Sequence, residues 1–110
     1  NMWRYTSNID VKQSKKVQLD DLFIDNKYRE FINCRMDEMI KNEPDKYSEL
    51  WQKPVIGDRQ SEDFYIHDGK LVIFYQPYDL SYYAKGFIEF PLSIQSLSGY
   101  IKPEYAERFE

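Results

Sequence analysis

The tightest constraint on this chain lies past its midpoint. Asp63 to His67 is a strand-type run, Lys70 to Gln76 is another, and only Asp68-Gly69 stands between them. A two-residue connection of that kind suits a tight hairpin, because both of its positions take positive φ. In the second run Leu71, Val72, Ile73, Phe74 and Tyr75 are apolar without alternation, so both faces are covered and the strand is central. Pro77 ends it.

The rest of the chain must fit around that hairpin. Gly86 to Leu92 reads as a further strand, with Ile88, Phe90 and Leu92 on one face and Phe87 and Glu89 on the other. Ser93 is placed to cap a short closing helix carrying Ile94, Leu97 and Tyr100, and the chain from Lys102 onward reads as a tail. Upstream, Trp3 to Val11 reads as a strand, Lys12 to Lys15 as a turn and Val17-Gln18-Leu19 as a short return strand. Asp20 is placed to cap a helical turn over Asp20 to Phe23.

The clearest helix runs from about Lys27 to Asn42. Tyr28, Phe31, Ile32, Met36, Met39 and Ile40 share one face, while Arg29, Glu30, Asp37, Glu38 and Lys41 fall mostly on the other. Asp25 or Asn26 can cap its start, and Pro44 stops it. Tyr47, Leu50 and Trp51 suit one more helical turn, with residues 52–62 as loop. The expected fold is α+β: an antiparallel sheet of about four or five strands with one long amphipathic helix across one face. At 110 residues the whole chain, 1–110, is one domain.

Composition narrows the function classes. Aromatics make up 17% of residues, enough to fill a core and still leave rings for a binding surface. Net charge is −4, which argues against nucleic acid and anionic membranes and suits a basic protein partner. There is one cysteine, so no intrachain disulfide forms, and no apolar run is long enough to span a membrane.

Residues of catalytic type are sparse. His67, the only histidine, precedes the hairpin turn and reads as an exposed turn residue. Cys34 sits beside the apolar stripe of the long helix and reads as a semi-buried packing residue. Asp20-Asp21 suits capping better than acid–base work. Asp58, Glu62 and Asp63 match no calcium-loop spacing, and no glycine-rich phosphate loop is present. No catalytic residue, metal site or cofactor is expected.

One segment stands apart. Tyr75 to Gly86 joins the central strand to the next and holds four tyrosines, an aspartate and a glycine in twelve residues. Tyr78, Asp79, Tyr82 and Tyr83 are the candidate binding residues, since tyrosines beside a carboxylate form an amphipathic contact patch at low entropic cost. Tyr78 also suits a corner of the core.

The order of these motifs resembles a known family. Phe64-Tyr65-Ile66, then Gly69 to Leu80, then Tyr83-Ala84-Lys85-Gly86 and Ile88-Glu89-Phe90-Pro91-Leu92 are similar to the C-terminal domain of the RsiV-like proteins. Lys15 to Phe23 resembles the same family's run ending in Leu-x-Asp-Leu-Phe, with Ser14 where a glycine is usual. The resemblance covers about residues 9–92. It implies an extracytoplasmic bacterial domain, tethered to a membrane only by segments outside this one. In anti-sigma factors of this kind the domain binds lysozyme, which licenses proteolysis and frees a sigma factor. In some cell-wall polysaccharide deacetylases a similar domain precedes the catalytic one. The expectation is therefore a non-catalytic binding or sensor module for a lysozyme-like protein or a cell-wall glycan. The alternative is an accessory domain of a wall deacetylase, inert alone. The family's usual preceding strand-rich half leads to the further expectation that this chain is a fragment of a longer protein.

Overall fold

The computed structural model describes residues 2–4, 9–10, 15–47, 50, 52–57, 62–76, 79–80 and 87–109, with backbone alone for 2–4, 9–10 and 15–16. Its elements in chain order are β1 (Met2–Arg4), β2 (Ile9–Asp10), β3 (Lys15–Lys16), a 3-10 turn (Leu19–Leu22), α1 (Tyr28–Asn42), β4 (Asp63–His67), β5 (Lys70–Tyr75), β6 (Ile88–Ser93), a second 3-10 turn (Ile94–Leu97) and α2 (Pro103–Phe109). The class is α+β.

The hairpin forms as its turn chemistry requires. Asp68 has φ 53° and Gly69 φ 72°, and β4 pairs with β5 from His67 opposite Lys70 to Asp63 opposite Phe74. An aspartate tolerates that left-handed geometry and a glycine has no Cβ to strain it. β6 pairs antiparallel with the other side of β5, from Lys70 opposite Ser93 to Tyr75 opposite Ile88. The sheet order is β1-β4-β5-β6, so β5 is interior and all of Leu71 to Tyr75 is buried.

The strand count and extent need correction. The sheet is built from three full strands, with β1 reaching only three residues along β4. Of the strand expected over Trp3 to Val11, the described parts pair separately: β1 joins β4, and β2 pairs with β3 in a second, two-residue ladder. Val17-Gln18 is no strand, and Leu19 already opens the 3-10 turn.

Nor is there a single helix. α1 turns Tyr28, Ile32 and Met36 into the core, with Phe31, Met39 and Ile40 half-buried beside them, as a 3.6-residue period demands. It starts without a side-chain cap: the Asp25 carboxylate accepts from the Lys27 N–H in a turn just ahead of it (3.0 Å). It ends one residue before Glu43, whose N–H reaches the Met39 carbonyl, and Pro44 follows. Tyr47 is buried in the turn after it, stacked on Phe90 with ring centroids 4.7 Å apart. Trp51 lies outside the described residues.

The segment after Lys102 is α2 rather than a tail. Pro103 opens it, where a missing N–H costs nothing, and Tyr105 and Phe109, four residues apart, stack on one buried face. The approach to α2 is pinned to the chain's beginning. The Lys102 N–H donates to the Leu22 carbonyl, the Ile24 N–H donates to the Tyr100 carbonyl, and Phe23 bridges Ile101. Ser93 caps the second 3-10 turn as expected, its Oγ accepting from the Ser96 N–H.

Both helices and the inward side chains of β4, β5 and β6 belong to one core cluster, including Phe64, Ile66, Leu71, Ile73, Phe90 and Leu92. The helices therefore cover one face of the sheet.

Candidate functional site

The crossover begins where β5 ends, and its root is firmly built. Asp79 closes a turn on Gln76: its Oδ2 accepts from the Gln76 N–H (2.9 Å), and its own N–H donates to the Gln76 carbonyl (3.0 Å). The adjacent Leu80 is 1% exposed and anchors the turn in the core. A third bond comes from far away in sequence, as Gln52 Nε2 donates to the Asp79 carbonyl at 2.6 Å.

Gln52 reaches that carbonyl because the segment around it is strapped along α1. Lys53 pairs with Asp37 at 3.0 Å, the Ile56 N–H donates to Asn33 Oδ1 at 2.7 Å, and the Arg29 side chain runs beside Gly57. Arg29, Asn33 and Asp37 are spaced by four along α1, so one polar stripe of the helix holds residues 53–57 antiparallel to it. Gly57 has φ 102° and its N–H donates to the buried Glu62 carboxylate at 3.1 Å.

Two hollows flank this strap. A groove of about 560 Å³ lies on its α1 side, lined by Asp37, Ile40, Lys41, Leu50, Gln52 and Lys53. A smaller hollow of about 210 Å³ lies toward the crossover, walled by Gln52 to Val55, Tyr75, Asp79 and Leu80. Each holds carboxylate and ammonium groups together, so neither is an acidic basin.

Of the four candidate binding residues, the structure places Asp79 at the half-exposed root of the crossover. Tyr78, Tyr82 and Tyr83 lie outside the described residues. Gln52 and the 29-33-37 stripe were not legible as partners: the Gln52–Asp79 contact spans 27 residues, and Arg29 and Asp37 stood out only as lying opposite the apolar face of the helix.

The other polar candidates take structural places. His67 is exposed at the end of β4. Cys34 is exposed rather than semi-buried, since it falls on the side of α1 away from Ile32 and Met36. Asp20 does not cap its turn: the Gln18 N–H donates to Asp21 instead, while Asp20 accepts from the Tyr28 hydroxyl and pairs with Arg29 at 2.8 Å. Those bonds hold the Asp20 carboxyl below its usual range, the Tyr28 hydroxyl foremost. Burial, aided by Asp20, pushes the Tyr28 phenol well up. Glu62 is tied to Gly57, and Asp58 lies outside the described residues. Among the described residues no three His, Cys, Asp or Glu side chains gather as a metal site, and no helix is long and apolar enough to cross a membrane.

No curated protein and no solved structure matches the chain. A family model described as a protein of unknown function, DUF3298, matches residues 20–95, from the first 3-10 turn through the sheet to the second. The chain belongs to the DUF3298 family.

Proposed function

We propose that this is a non-catalytic recognition module of the RsiV-like kind. It works outside the cytoplasm and binds a basic protein such as lysozyme, or a cell-wall component, through the crossover that carries Tyr78, Asp79, Tyr82 and Tyr83. The observation that supports this best is the root of that crossover. Asp79 is fixed by three hydrogen bonds and Leu80 is driven into the core, so the loop leaves the sheet from a preorganised base. Fixing a contact loop before the partner arrives lowers the entropy lost on binding. Charge adds a second support. At −4 the whole chain attracts a cationic ligand, and that long-range attraction is screened by salt.

Calorimetry with lysozyme at low and at moderate salt tests the proposal. The expected result is a binding heat at low salt and weaker affinity at moderate salt. No heat and no shift in melting temperature at either salt removes lysozyme as the ligand.

A further inference from the structure

The helices cover one face of the sheet, and the opposite face has a different character. Strand alternation and register place Asp63, Phe74 and Glu89 in one row across β4, β5 and β6 on that outer face. Tyr65, Val72 and Pro91 form the next row, and His67, Lys70 and Ser93 the last. Val72 and Phe74 are buried yet belong to no part of the helix-covered core.

Among the described residues, Phe74 is shielded locally. Tyr65 on β4 and Glu89 on β6 stand two strands apart, about 10 Å, yet the Tyr65 hydroxyl donates to Glu89 Oε2 at 2.8 Å. Their side chains bridge across β5. The Tyr65 and Phe87 rings flank Phe74, each with its centroid 5.9 Å away. Phe87 itself is 58% exposed. It directly follows the crossover, and Gln76, whose amide meets Asp63 Oδ2 at 3.4 Å, directly precedes it.

We infer that the crossover end of this outer face seats an arginine side chain of a basic protein partner, stacked on the Phe87 ring and donating to the Glu89 carboxylate, with Asp63 on the far side of the row. The inference rests on the recognition role proposed above and names the surface that continues it. An arginine suits both features: its planar guanidinium stacks on aromatic rings and donates to carboxylates in a fixed fork. A purely apolar partner would strip water from Asp63 and Glu89 without supplying a charge. An acidic partner would meet like charge. Among the described residues, the row at the opposite end, His67, Lys70 and Ser93, holds no carboxylate and brings in the cation Lys70, so the match is confined to the crossover end.

Amide NMR spectra of the labelled domain, titrated separately with lysozyme and with a tri-arginine peptide, decide it. Expected are shifts at Phe87, Glu89 and Asp63 with both probes, and an affinity for lysozyme about five- to thirtyfold lower in Phe87→Ala. Glu89→Gln, which keeps an acceptor for Tyr65, is expected to weaken lysozyme binding about fivefold and flatten its salt dependence. Unchanged melting temperatures in both variants confirm that they fold. If lysozyme binds both variants as it binds the parent, this inference falls while the proposed function stands. If lysozyme does not bind but tri-arginine still shifts the Phe87 and Glu89 amides, lysozyme is removed and the arginine seat survives. No shift at those amides with either probe overturns the seat.

Discussion

The two faces of the sheet solve the same problem by different means. On the inner face Phe64, Ile73 and Phe90 lie in one core shared with residues of both helices, and each is fully buried. On the outer face Phe74 is sealed by its neighbours, through a tyrosine–glutamate bridge and a phenylalanine that is itself more than half exposed. The inner seal is made of whole secondary-structure elements and cannot open without unfolding. The outer seal is made of single side chains, whose rearrangement leaves the fold intact. A surface of the second kind suits recognition, because its side chains can change partners at low cost.

Substitutions should separate the faces by size of effect. Phe64→Ala removes a ring locked between sheet and helices and should cost about 3–5 kcal/mol, read from the urea midpoint. Phe74→Ala removes a ring of the same size from the outer face, where Tyr65 and Phe87 can fall inward, and should cost about 2 kcal/mol. Equal losses at the two positions would break the comparison.

Alkali should act through the inner face. Burial, with the charges of Glu43 and Glu89 behind it, pushes the Tyr47 phenol from 10.0 up to about 12. A phenol whose folded value is raised favours the folded state fully below its unfolded value and loses that contribution as pH climbs through the folded one. Stability should therefore drop by on the order of 1 kcal/mol between pH 10 and 12. A urea midpoint flat across that window contradicts this.

Acid should act at the rim of the same core, and more weakly. The Asp20 carboxyl is held below 3.8, so its contribution is present above that value and lost as pH falls through the lowered one. The group is half exposed, so Asp20→Asn should cost under about 1 kcal/mol and reduce the acid sensitivity of melting. The smallest change should come from Phe87→Ala, within about 0.5 kcal/mol of the parent, because its ring seals only one side of Phe74.

Local signals told most of the fold. The Asp68-Gly69 turn, the apolar stripe of α1, the alternation of β6 and the Ser93 cap each depend on residues a few positions apart, and each formed. Long-range partners stayed hidden. Asp20 read as a cap because its partners Tyr28 and Arg29 come eight and nine residues later, beyond the turn it was expected to serve. α2 read as a tail because seven residues are too few to show a period, although Pro103 and the Tyr105–Phe109 spacing were the available signs. At the candidate site, Asp79 was legible beside Pro77 and the tyrosines. The strap that fixes it was not, since Lys53, Ile56 and Gln52 meet α1 and the crossover only after the chain has turned back.

Hydrogen–deuterium exchange with and without lysozyme tests the recognition face most directly. The prediction is slowed exchange at Asp79-Leu80 and from Phe87 to Glu89, with α1 and α2 unchanged. Protection confined to the helices, or found nowhere, would contradict it.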